Sequence, residues 1–451
     1  MSLLHLDPTN LLSTGVGSTG IAAKRLAGDL KDRFARAHED VRVRRESGEM
    51  GFFELPYDTR TRRQVQEVAD SFGQWSESFV VVGIGGSSLG ARAIADALRG
   101  PFWNERSAEE REHFPRLYFL ENPDPDTVRT LLARLDLRTT LFNVVSKSGS
   151  TAETLALYLV LEEALAQVLE ADRLRAHLLF TTDGSDGTLR RLAEKLGVPT
   201  LGIPSGVGGR FSVLSCVGLL PAAVIGVDLE ALLAGAAEMD AQCKNPALGD
   251  NPAGLLATLL HAAHVEGGRS THVFMPYSDR LRTFGLWFQQ LWAESLGKAR
   301  DREGGVVETG PTPLAAVGAV DQHSLLQLLM EGPPDKVVVF VGVAEREDPV
   351  PIPVRHEEHP ALARLGGHTL QGLLETEQRA TTEALRRAGR PSLSIEIPRL
   401  DARALGALFM LLEIATVYAG ALYGVDPLDQ PGVELGKTLT DRMLKRDGDS
   451  S

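Results

Sequence analysis

The chain has 451 residues, more than one ordinary hydrophobic core accommodates, which predicts two packed domains with extensions. Its hydrophobic fraction of 43% and charged fraction of 24% are typical of soluble globular proteins. The formal net charge of −13 argues against nucleic acid or an anionic membrane surface as the main partner, so an anionic ligand would need a local cluster of cations and N–H donors.

Cysteine usage and the N-terminal sequence predict a cytoplasmic protein. Cys216 and Cys243 lack metal-type spacing, and we expect both to be reduced and buried. The N-terminus shows no basic segment followed by a long apolar stretch, so no secretory signal is evident. The longest apolar run, residues 213–227, is too short to cross a bilayer and is interrupted by Pro221.

The predicted elements alternate between strands and helices. Residues 20–48 have the charged pattern of a surface helix, and the strands that follow are continuous apolar runs typical of a parallel sheet buried on both faces. Strands are predicted at 78–83, 116–120, 141–146, 176–181, 271–276, 336–343 and 392–397. Helices are predicted at 91–98, from 151, at 189–196, at 281–296 and from 402.

This alternation predicts an α/β protein with doubly wound parallel sheets and right-handed crossovers. A turn-rich segment at 242–252 has the composition of a domain junction. We therefore predict an N-terminal helical extension, two α/β domains of related architecture, and a C-terminal helix with a loop. Their predicted bounds are 1–49, 50–241, 242–400 and 401–451.

A glycine-rich turn, residues 83–90 (GIGGSSLG), follows the first predicted buried strand. A dinucleotide fingerprint requires glycine at position 88, where this chain has serine. What remains is a backbone turn with two hydroxyls at a helix N-terminus, which suits a small phosphate or a sugar phosphate. The structural alternative is a tight turn with a serine N-cap.

A second loop, residues 146–154 (SKSGSTAET), also follows a predicted buried strand. Ser150 and Glu153 fit a capping box, so a helix is expected to start here with its N–H groups directed into the loop. Capping does not account for the hydroxyls and the ammonium of the preceding Ser-Lys-Ser. The loop therefore predicts a cradle for a monophosphate.

Two further segments carry candidate catalytic side chains. Arg210 follows two glycines, so the backbone can approach a ligand while the guanidinium supplies a fixed charge; a surface ion pair is the alternative. Gln290 and Glu294 are one helical turn apart and project from one helix face. The aromatic residues between positions 287 and 292 are expected to shield Glu294 from water, which suits a general base; a solvated surface glutamate is the alternative.

The histidines do not indicate a metal. His323 lies in a DQHS segment that is expected to open a helix after a loop at 304–319, and a lone histidine is more often structural than catalytic. The HAAH sequence at 261–264 lacks the glutamate and the spacing of a zinc protease. We expect a site without a metal.

The segment 429–438 (DQPGVELGKT) ends like a phosphate-binding P-loop but does not fit one. Only three residues separate Gly432 from Gly436, where a P-loop has four between its first glycine and the Gly-Lys pair. Pro431 has no N–H to donate, and a helical pattern rather than a strand precedes the loop. Lys437 is therefore expected to have a role other than nucleotide binding.

Taken in order, GIGGSSLG, SKSGSTAET, GGRFS, QLWAESLGK, DQHS and DQPGVELGK resemble the glucose-6-phosphate isomerase family, from about residue 50 to residue 441. The resemblance implies two sugar-isomerase (SIS) domains, each a parallel sheet flanked by helices. It implies an intramolecular oxidoreductase of glycolysis and gluconeogenesis that interconverts D-glucose 6-phosphate and D-fructose 6-phosphate through a cis-enediol(ate), without a cofactor. Leu428, where the family usually has an aromatic residue, and Gly149, where many members have a bulkier one, depart from the pattern.

The resemblance also implies roles for individual residues. Glu294 would move the proton between C2 and C1, and Arg210 would stabilise the charge of the enediolate. His323, donated by the neighbouring subunit of an obligate homodimer, would open the pyranose ring together with Lys437. The residues implied to bind the substrate are Gly86, Ser87, Ser146, Lys147, Ser148, Thr151, Gln290 and Gln430.

Three rival interpretations stay open at this point. A sugar-phosphate sensor needs the phosphate cradle but not Glu294, His323 and Lys437, and is normally joined to a DNA-binding segment, for which the sequence shows no basic helix-turn-helix. An isomerase of amino sugar phosphates would lack the DQPGVELGK ending. Dual use of mannose 6-phosphate is not decided by residue types alone.

Overall fold

The computed structural model describes residues 3–73, 75–346 and 348–448. The strands are β1 His5–Asp7, β2 Ser78–Val82, β3 Arg116–Leu120, β4 Thr140–Ser146, β5 Leu178–Asp183, β6 Thr200–Ile203, β7 Thr271–Pro276, β8 Lys298–Arg300, β9 Val306–Thr309, β10 Thr312–Ala315, β11 Lys336–Glu345 and β12 Ser392–Arg399. The helices are α1 Ser13–Val16, α2 Asp29–Glu46, α3 Thr59–Gly73, α4 Leu89–Arg99, α5 Pro125–Arg134, α6 Ala152–Ala166, α7 Ala171–Leu174, α8 Thr188–Leu196, α9 Cys216–Val224, α10 Leu229–Cys243, α11 Pro252–Val265, α12 Arg282–Leu296, α13 Leu326–Glu331, α14 Pro360–Ala363, α15 Leu370–Arg387, α16 Ala402–Tyr423 and α17 Glu434–Gly448.

Two five-stranded sheets organise the chain. The first has the strand order β3-β2-β4-β5-β6, and all its strands are parallel. The second has the order β1-β12-β11-β7-β10, in which only β1 runs antiparallel to its neighbour. Strands β8 and β9 pair with each other as an antiparallel hairpin. The predicted α/β class with parallel sheets is confirmed.

The central strands form because their sequences suit burial on both faces. Every residue of β2 (SFVVV) and of β4 (TLFNVVS) is buried. Continuous apolar runs of this kind are what helices on both faces of a parallel sheet require. The two strands are direct neighbours, with Val82 opposite Val144, so the loops that follow them meet at one edge of the sheet.

Helix α16 is the longest element of the hydrophobic core. By length and composition it would suit a membrane crossing, but 89% of its apolar window is buried inside the protein, where α10, α11 and α12 pack on it. Glu413 lies in this helix with 0% of its surface exposed, and neither carboxylate oxygen has a hydrogen-bond partner among the residues that the structure describes. Burial raises the pKa of Glu413 well above its ordinary value.

The structure corrects the sequence interpretation in several elements. The N-terminal segment, expected to be a helical extension, also supplies β1, which pairs with β12. The expected loop at 304–319 contains β9 and β10, and β6 was not predicted. The bounds of the four predicted segments stay predictions. Cys216 and Cys243 are free and buried as expected, and burial raises the pKa of each thiol to about 12.

Candidate active site

The turn after β2 lies against the turn that carries Arg210. Residues Gly85–Ser87 form a short 3-10 turn before α4, and Gly209–Phe211 form another before α9. A Cβ atom at Gly86 would lie 2.3 Å from the carbonyl carbon of Gly209, so the two backbones touch directly. Only glycine at position 86 permits this approach. Ser212 strengthens the contact, since its hydroxyl donates to the Gly86 carbonyl at 3.2 Å.

The loop after β4 places several hydroxyls at the N-terminus of α6. The predicted capping box is wrong: Thr151 is the N-cap residue, and its side chain makes no cap hydrogen bond. The Thr151 hydroxyl instead lies 2.9 Å from that of Ser146, and the Ser150 hydroxyl donates to Ser148 at 3.1 Å. The N-cap side chain thus leaves the first-turn N–H groups available, and the positive end of the helix dipole faces this loop.

Lys147 joins this loop to a neighbouring segment. Its ammonium donates hydrogen bonds to the carbonyls of Ser205 at 2.6 Å and Val207 at 2.7 Å, just before the two glycines that precede Arg210. Burial lowers the pKa of the Lys147 ammonium, and Asp183 opposes that shift. The side chain, predicted to hold the substrate phosphate, is engaged by main-chain oxygens in this structure.

Arg210 is the most highly connected side chain of the site. Only 2% of it is exposed, so the alternative of a surface ion pair is excluded. Its acceptors are Ser295 Oγ at 2.7 Å, Gln430 Oε1 at 2.6 Å, Glu294 Oε2 at 3.2 Å, and the carbonyls of Pro427 at 2.6 Å and Asp429 at 2.9 Å. Burial lowers the pKa of the Arg210 guanidinium and Glu294 opposes the shift, but an arginine stays charged in proteins.

Glu294 lies near the end of α12 with its carboxylate between two donors. Gln290 donates to one oxygen at 3.0 Å, and Arg210 donates to the other at 3.2 Å. Its side chain keeps 35% exposure, so the expected shielding by aromatic residues was wrong. Trp287 and Phe288 instead pack inward on Phe409 and Phe274. The carboxylate is therefore held in place and also accessible to a bound molecule.

Gln290 connects Glu294 to the first glycine-rich turn. Its amide nitrogen would lie 3.0 Å from a Cβ atom at Gly85, and its amide oxygen is buried and has no hydrogen-bond partner in the described part of the chain. Gly85 has a positive φ of 59°, a conformation that favours glycine. The predicted pair of Gln290 and Glu294 thus sits where the turn after β2 meets α12.

Sequence reasoning missed three residues that complete this arrangement. Ser295 accepts from Arg210, and Lys298 donates to the carbonyls of Glu294 at 2.7 Å and Ser295 at 2.9 Å. Lys298 also forms an ion pair with Asp429 at 3.5 Å. The available signal was the position of Lys298, four residues after Glu294 and just beyond α12, where a lysine can reach back to the end of the preceding helix.

His323 and Lys437 are not brought to this cluster. His323 is exposed at the end of the 3-10 turn Val320–His323, which follows β10. Lys437 is 64% exposed on α17 and pairs with Glu434 of the same helix at 2.7 Å. Within the described residues, neither side chain contacts Arg210 or Glu294. Among the same residues, no group of three or more His, Cys, Asp or Glu side chains is arranged to hold a metal ion.

Comparison with known proteins identifies the family. The model of the family described as phosphoglucose isomerase matches residues 67–451. The chain belongs to the phosphoglucose isomerase family. Two similar members are the glucose-6-phosphate isomerases of Carboxydothermus hydrogenoformans, 42% identical over 93% of this chain and 90% of that protein, and of Rubrobacter xylanophilus, 43% identical over 99% of each.

Solved structures support the same family membership. A hypothetical protein from Thermus thermophilus superposes with a TM-score of 0.86 at 39% identity, covering 98% of this chain and 99% of that one. A glucose-6-phosphate isomerase from Chlamydia trachomatis gives a TM-score of 0.75 at 26% identity, covering 86% of this chain and 74% of that one. The fold shared with that glucose-6-phosphate isomerase therefore covers 86% of this chain.

Proposed function

We propose that this chain interconverts D-glucose 6-phosphate and D-fructose 6-phosphate, as a cytoplasmic enzyme of glycolysis and gluconeogenesis. Its membership in the phosphoglucose isomerase family supports this reaction, and relatives more than 40% identical are named glucose-6-phosphate isomerase. The observation that carries the proposal is the contact between Arg210 and Glu294. A buried, permanently charged guanidinium there holds a solvent-accessible carboxylate at 3.2 Å.

The reaction moves a proton between two adjacent carbons. The Glu294 carboxylate removes the proton from C2 of the open-chain aldose, which leaves a cis-enediolate. It then returns a proton to C1 while the hydroxyl proton of O2 moves to O1, which gives the ketose. No redox reagent is consumed, since one carbon is oxidised as the other is reduced. A positioned base contributes on the order of 10²–10⁴-fold to such a step.

Arg210 supplies the charge that the intermediate needs. Its guanidinium is already fixed by hydrogen bonds to two chain segments, the end of α12 and residues 427–430, so it does not have to reorganise when negative charge develops on the enediolate oxygens. Preorganised electrostatic stabilisation of this kind contributes several kcal/mol to many enzyme reactions. Gln290 and Gln430 are proposed to bind substrate hydroxyls beside it.

The substrate phosphate is proposed to bind at the N-terminus of α6. Ser146, Ser148 and Thr151 provide hydroxyl donors there, and the first turn of the helix provides N–H groups. Gly86 and Ser87 lie at the carboxyl end of the adjacent strand β2, so the turn after β2 borders this loop. Lys147 contributes through its position in the loop and through the two carbonyls that its side chain holds.

Ring opening is proposed to require two outlying residues. The partner's His323 would shuttle a proton at the ring oxygen of the closed sugar, and Lys437 would assist at O1. The exposure of both side chains in a single subunit supports a site that is completed in a homodimer. In a symmetric dimer each subunit would donate one His323 and receive the other.

A coupled assay with fructose 6-phosphate tests the proposal, if glucose 6-phosphate and mannose 6-phosphate are measured separately. The wild-type chain should form glucose 6-phosphate. Glu294→Gln should fold and bind sugar phosphate but lose nearly all isomerisation, because the amide cannot accept the proton. Glu67→Gln, an exposed glutamate on α3, is the matched control and should keep full turnover.

The same assay separates the rival functions. Near-wild-type turnover by Glu294→Gln would refute the assigned base. Binding of sugar phosphate without turnover by the wild type would favour a sensor, and turnover of an amino sugar phosphate alone would favour the other isomerase. Release of mannose 6-phosphate would show dual use.

A further inference from the structure

Lys298 is the first residue of β8 and follows the C-terminal end of α12, the helix that carries the proposed base Glu294. We propose that Lys298 is a positioning residue for isomerisation: its ammonium fixes the main chain of Glu294 and ties it to the segment 426–430. This inference rests on the proposed function, because it assigns Lys298 to the geometry of that base. Lys298 itself is not proposed to touch the substrate.

The first support is the contact of Lys298 with the helix end. The last four carbonyls of an α-helix have no partner within the helix, and a cation there is also favoured by the helix dipole. Lys298 donates to two of these carbonyls, that of Glu294 at 2.7 Å and that of Ser295 at 2.9 Å. The residue that carries the carboxylate is thus held at its own peptide group.

The second support is that Lys298 and Arg210 hold the same two segments from different sides. Arg210 binds the side chains of Glu294 and Ser295, whereas Lys298 binds their main-chain carbonyls. Arg210 also donates to the Asp429 carbonyl at 2.9 Å, and Lys298 pairs with the Asp429 carboxylate at 3.5 Å. The two cations therefore clamp the end of α12 and the segment that presents Gln430.

The third support is that the ammonium has no capacity left for a ligand. An ammonium offers three donors, and here the two carbonyls and the Asp429 carboxylate account for three acceptors. The residue is only 8% exposed. These contacts argue against a role of Lys298 in binding substrate and favour a role in positioning Glu294.

The consequence is a specific effect on turnover. Removal of the ammonium would free two carbonyls at the helix end and let the Glu294 backbone shift, and a misplacement of about 1 Å can cost about 10²-fold in rate. The proposed phosphate loop belongs to other segments, at 146–151 and 86–87, so binding of the substrate should change little. A loss in kcat with nearly constant KM is therefore expected.

The experiment compares the wild type with Lys298→Met, which keeps a long apolar side chain without the charge. With fructose 6-phosphate, kcat should fall about 10- to 100-fold while KM stays within about threefold. Lys244→Met is the matched control, because Lys244 also follows a helix C-terminus and pairs with an aspartate, Asp240, at 3.2 Å. That control should retain the wild-type kcat.

Chemical rescue separates positioning from a general loss of structure. In Lys298→Cys, alkylation with 2-bromoethylamine forms a thioether and releases bromide, which restores an ammonium at nearly the original distance. Cys216 and Cys243 are buried, and burial raises the pKa of each thiol to about 12, so both react slowly in the folded protein. The alkylated K298C should recover kcat to within a few-fold of the wild type.

Each outcome decides the proposal. Unchanged kcat in Lys298→Met or an equal loss in the Lys244→Met control would overturn it. No recovery in K298C would also overturn it once mass spectrometry shows that the introduced thiol carries the aminoethyl group. A rise in KM with constant kcat would overturn it as well, because that result assigns Lys298 to binding. If the wild type does not convert fructose 6-phosphate, or if Glu294→Gln remains active, the proposed function fails. If the wild type is active and Glu294→Gln is inactive, a negative result with the Lys298 variants refutes only the role of Lys298.

Discussion

Two parts of the candidate site differ in how they are held. The cluster of Arg210, Glu294, Gln290 and Gln430 is joined by hydrogen bonds that cross three chain segments. His323 is exposed, and the ion pair that Lys437 makes among the described residues lies within its own helix. The residues proposed for proton transfer are therefore brought together by the folding of one chain. The residues proposed for ring opening, His323 and Lys437, are not brought together with them in a single subunit.

The largest effect is expected from a substitution of Arg210, in the cluster that also contains Glu294, Gln290 and Gln430. Arg210→Lys keeps the charge but loses the fork that serves several acceptors, and kcat should fall about 10²–10³-fold, as for loss of a transition-state donor. Steady-state kinetics with fructose 6-phosphate measure this. Arg45→Lys is the control, because Arg45 is also largely buried and binds both oxygens of Asp240, at 2.6 and 3.0 Å. A loss of kcat in the control of the same size would contradict a special role for Arg210.

A smaller loss of turnover is expected from a substitution of His323, which lies apart from the Arg210 cluster. His323→Ala should reduce turnover of the ring-closed sugar about 10²-fold, the lower end of the range for a positioned acid or base. An open-chain substrate analogue should lose much less, because it needs no ring opening. His356→Ala, another exposed histidine, is the control. Equal losses on both substrates would refute the ring-opening role.

Lys437 should show a still smaller loss. Lys437→Ala should lower kcat about tenfold on the ring-closed sugar, less than the roughly 10²-fold expected for a positioned acid or base, because Lys437 is proposed only to assist. Thermal stability should not change, because an exposed ion pair contributes little. Glu434→Gln removes the same ion pair and is the matched control; if it lowers kcat as Lys437→Ala does, the loss comes from the helix rather than from the ammonium.

Mixing two inactive variants tests whether the second part is built across subunits. In a dimer of one Glu294→Gln chain and one His323→Ala chain, the site with the intact Glu294 receives an intact His323 from its partner. Random reassociation should therefore restore about one quarter of wild-type activity. The measurement is turnover after joint refolding of equal amounts. If neither joint refolding nor co-expression of the two variants restores activity, Glu294 and His323 act within one chain.

The smallest expected effect concerns the core that supports both parts. Glu413 is buried and has a raised pKa, so the stability of its neutral form is fully present below about pH 4.5 and falls as the pH rises toward the folded-state pKa. Glu413→Met removes this penalty and should raise the free energy of unfolding by roughly 1–3 kcal/mol at pH 8. Urea unfolding at pH 4.5 and pH 8 measures the difference, which should shrink at the lower pH. The exposed Glu67→Met should show no such pH dependence.

The sequence allowed the sheet core and much of the site to be predicted, because those features have local signatures. The apolar runs of β2 and β4 identify buried parallel strands, and the glycines after them identify the loops. Strand β10 has no such signature, since Pro313 interrupts it; β10 lies at the edge of its sheet, where a proline is tolerated. Strand β1 has only three residues and depends on its distant partner β12.

The remaining parts of the site depend on contacts that no local pattern records. Lys298 donates hydrogen bonds to main-chain carbonyls. Because every residue has a main-chain carbonyl, residue types in the sequence do not show which carbonyls Lys298 binds. Glu294 was expected among aromatic side chains, but neighbours on a helix do not determine which side chain is shielded. Gln430 of the DQPGVELGK motif accepts a hydrogen bond from Arg210, a contact that the motif alone did not predict, while Lys437 in the same motif lies apart from it.

The clasp that Lys147 makes has a consequence for substrate choice. It fastens the proposed phosphate loop to the carbonyls of Ser205 and Val207, and that segment continues directly into Arg210. The loop proposed to bind the phosphate and the arginine proposed to bind the other end of the sugar are therefore tied together at a fixed spacing. This fixed spacing would select the length of the ligand. A phosphorylated sugar that is one carbon shorter or longer would bind through its phosphate and would place the wrong carbon next to Glu294.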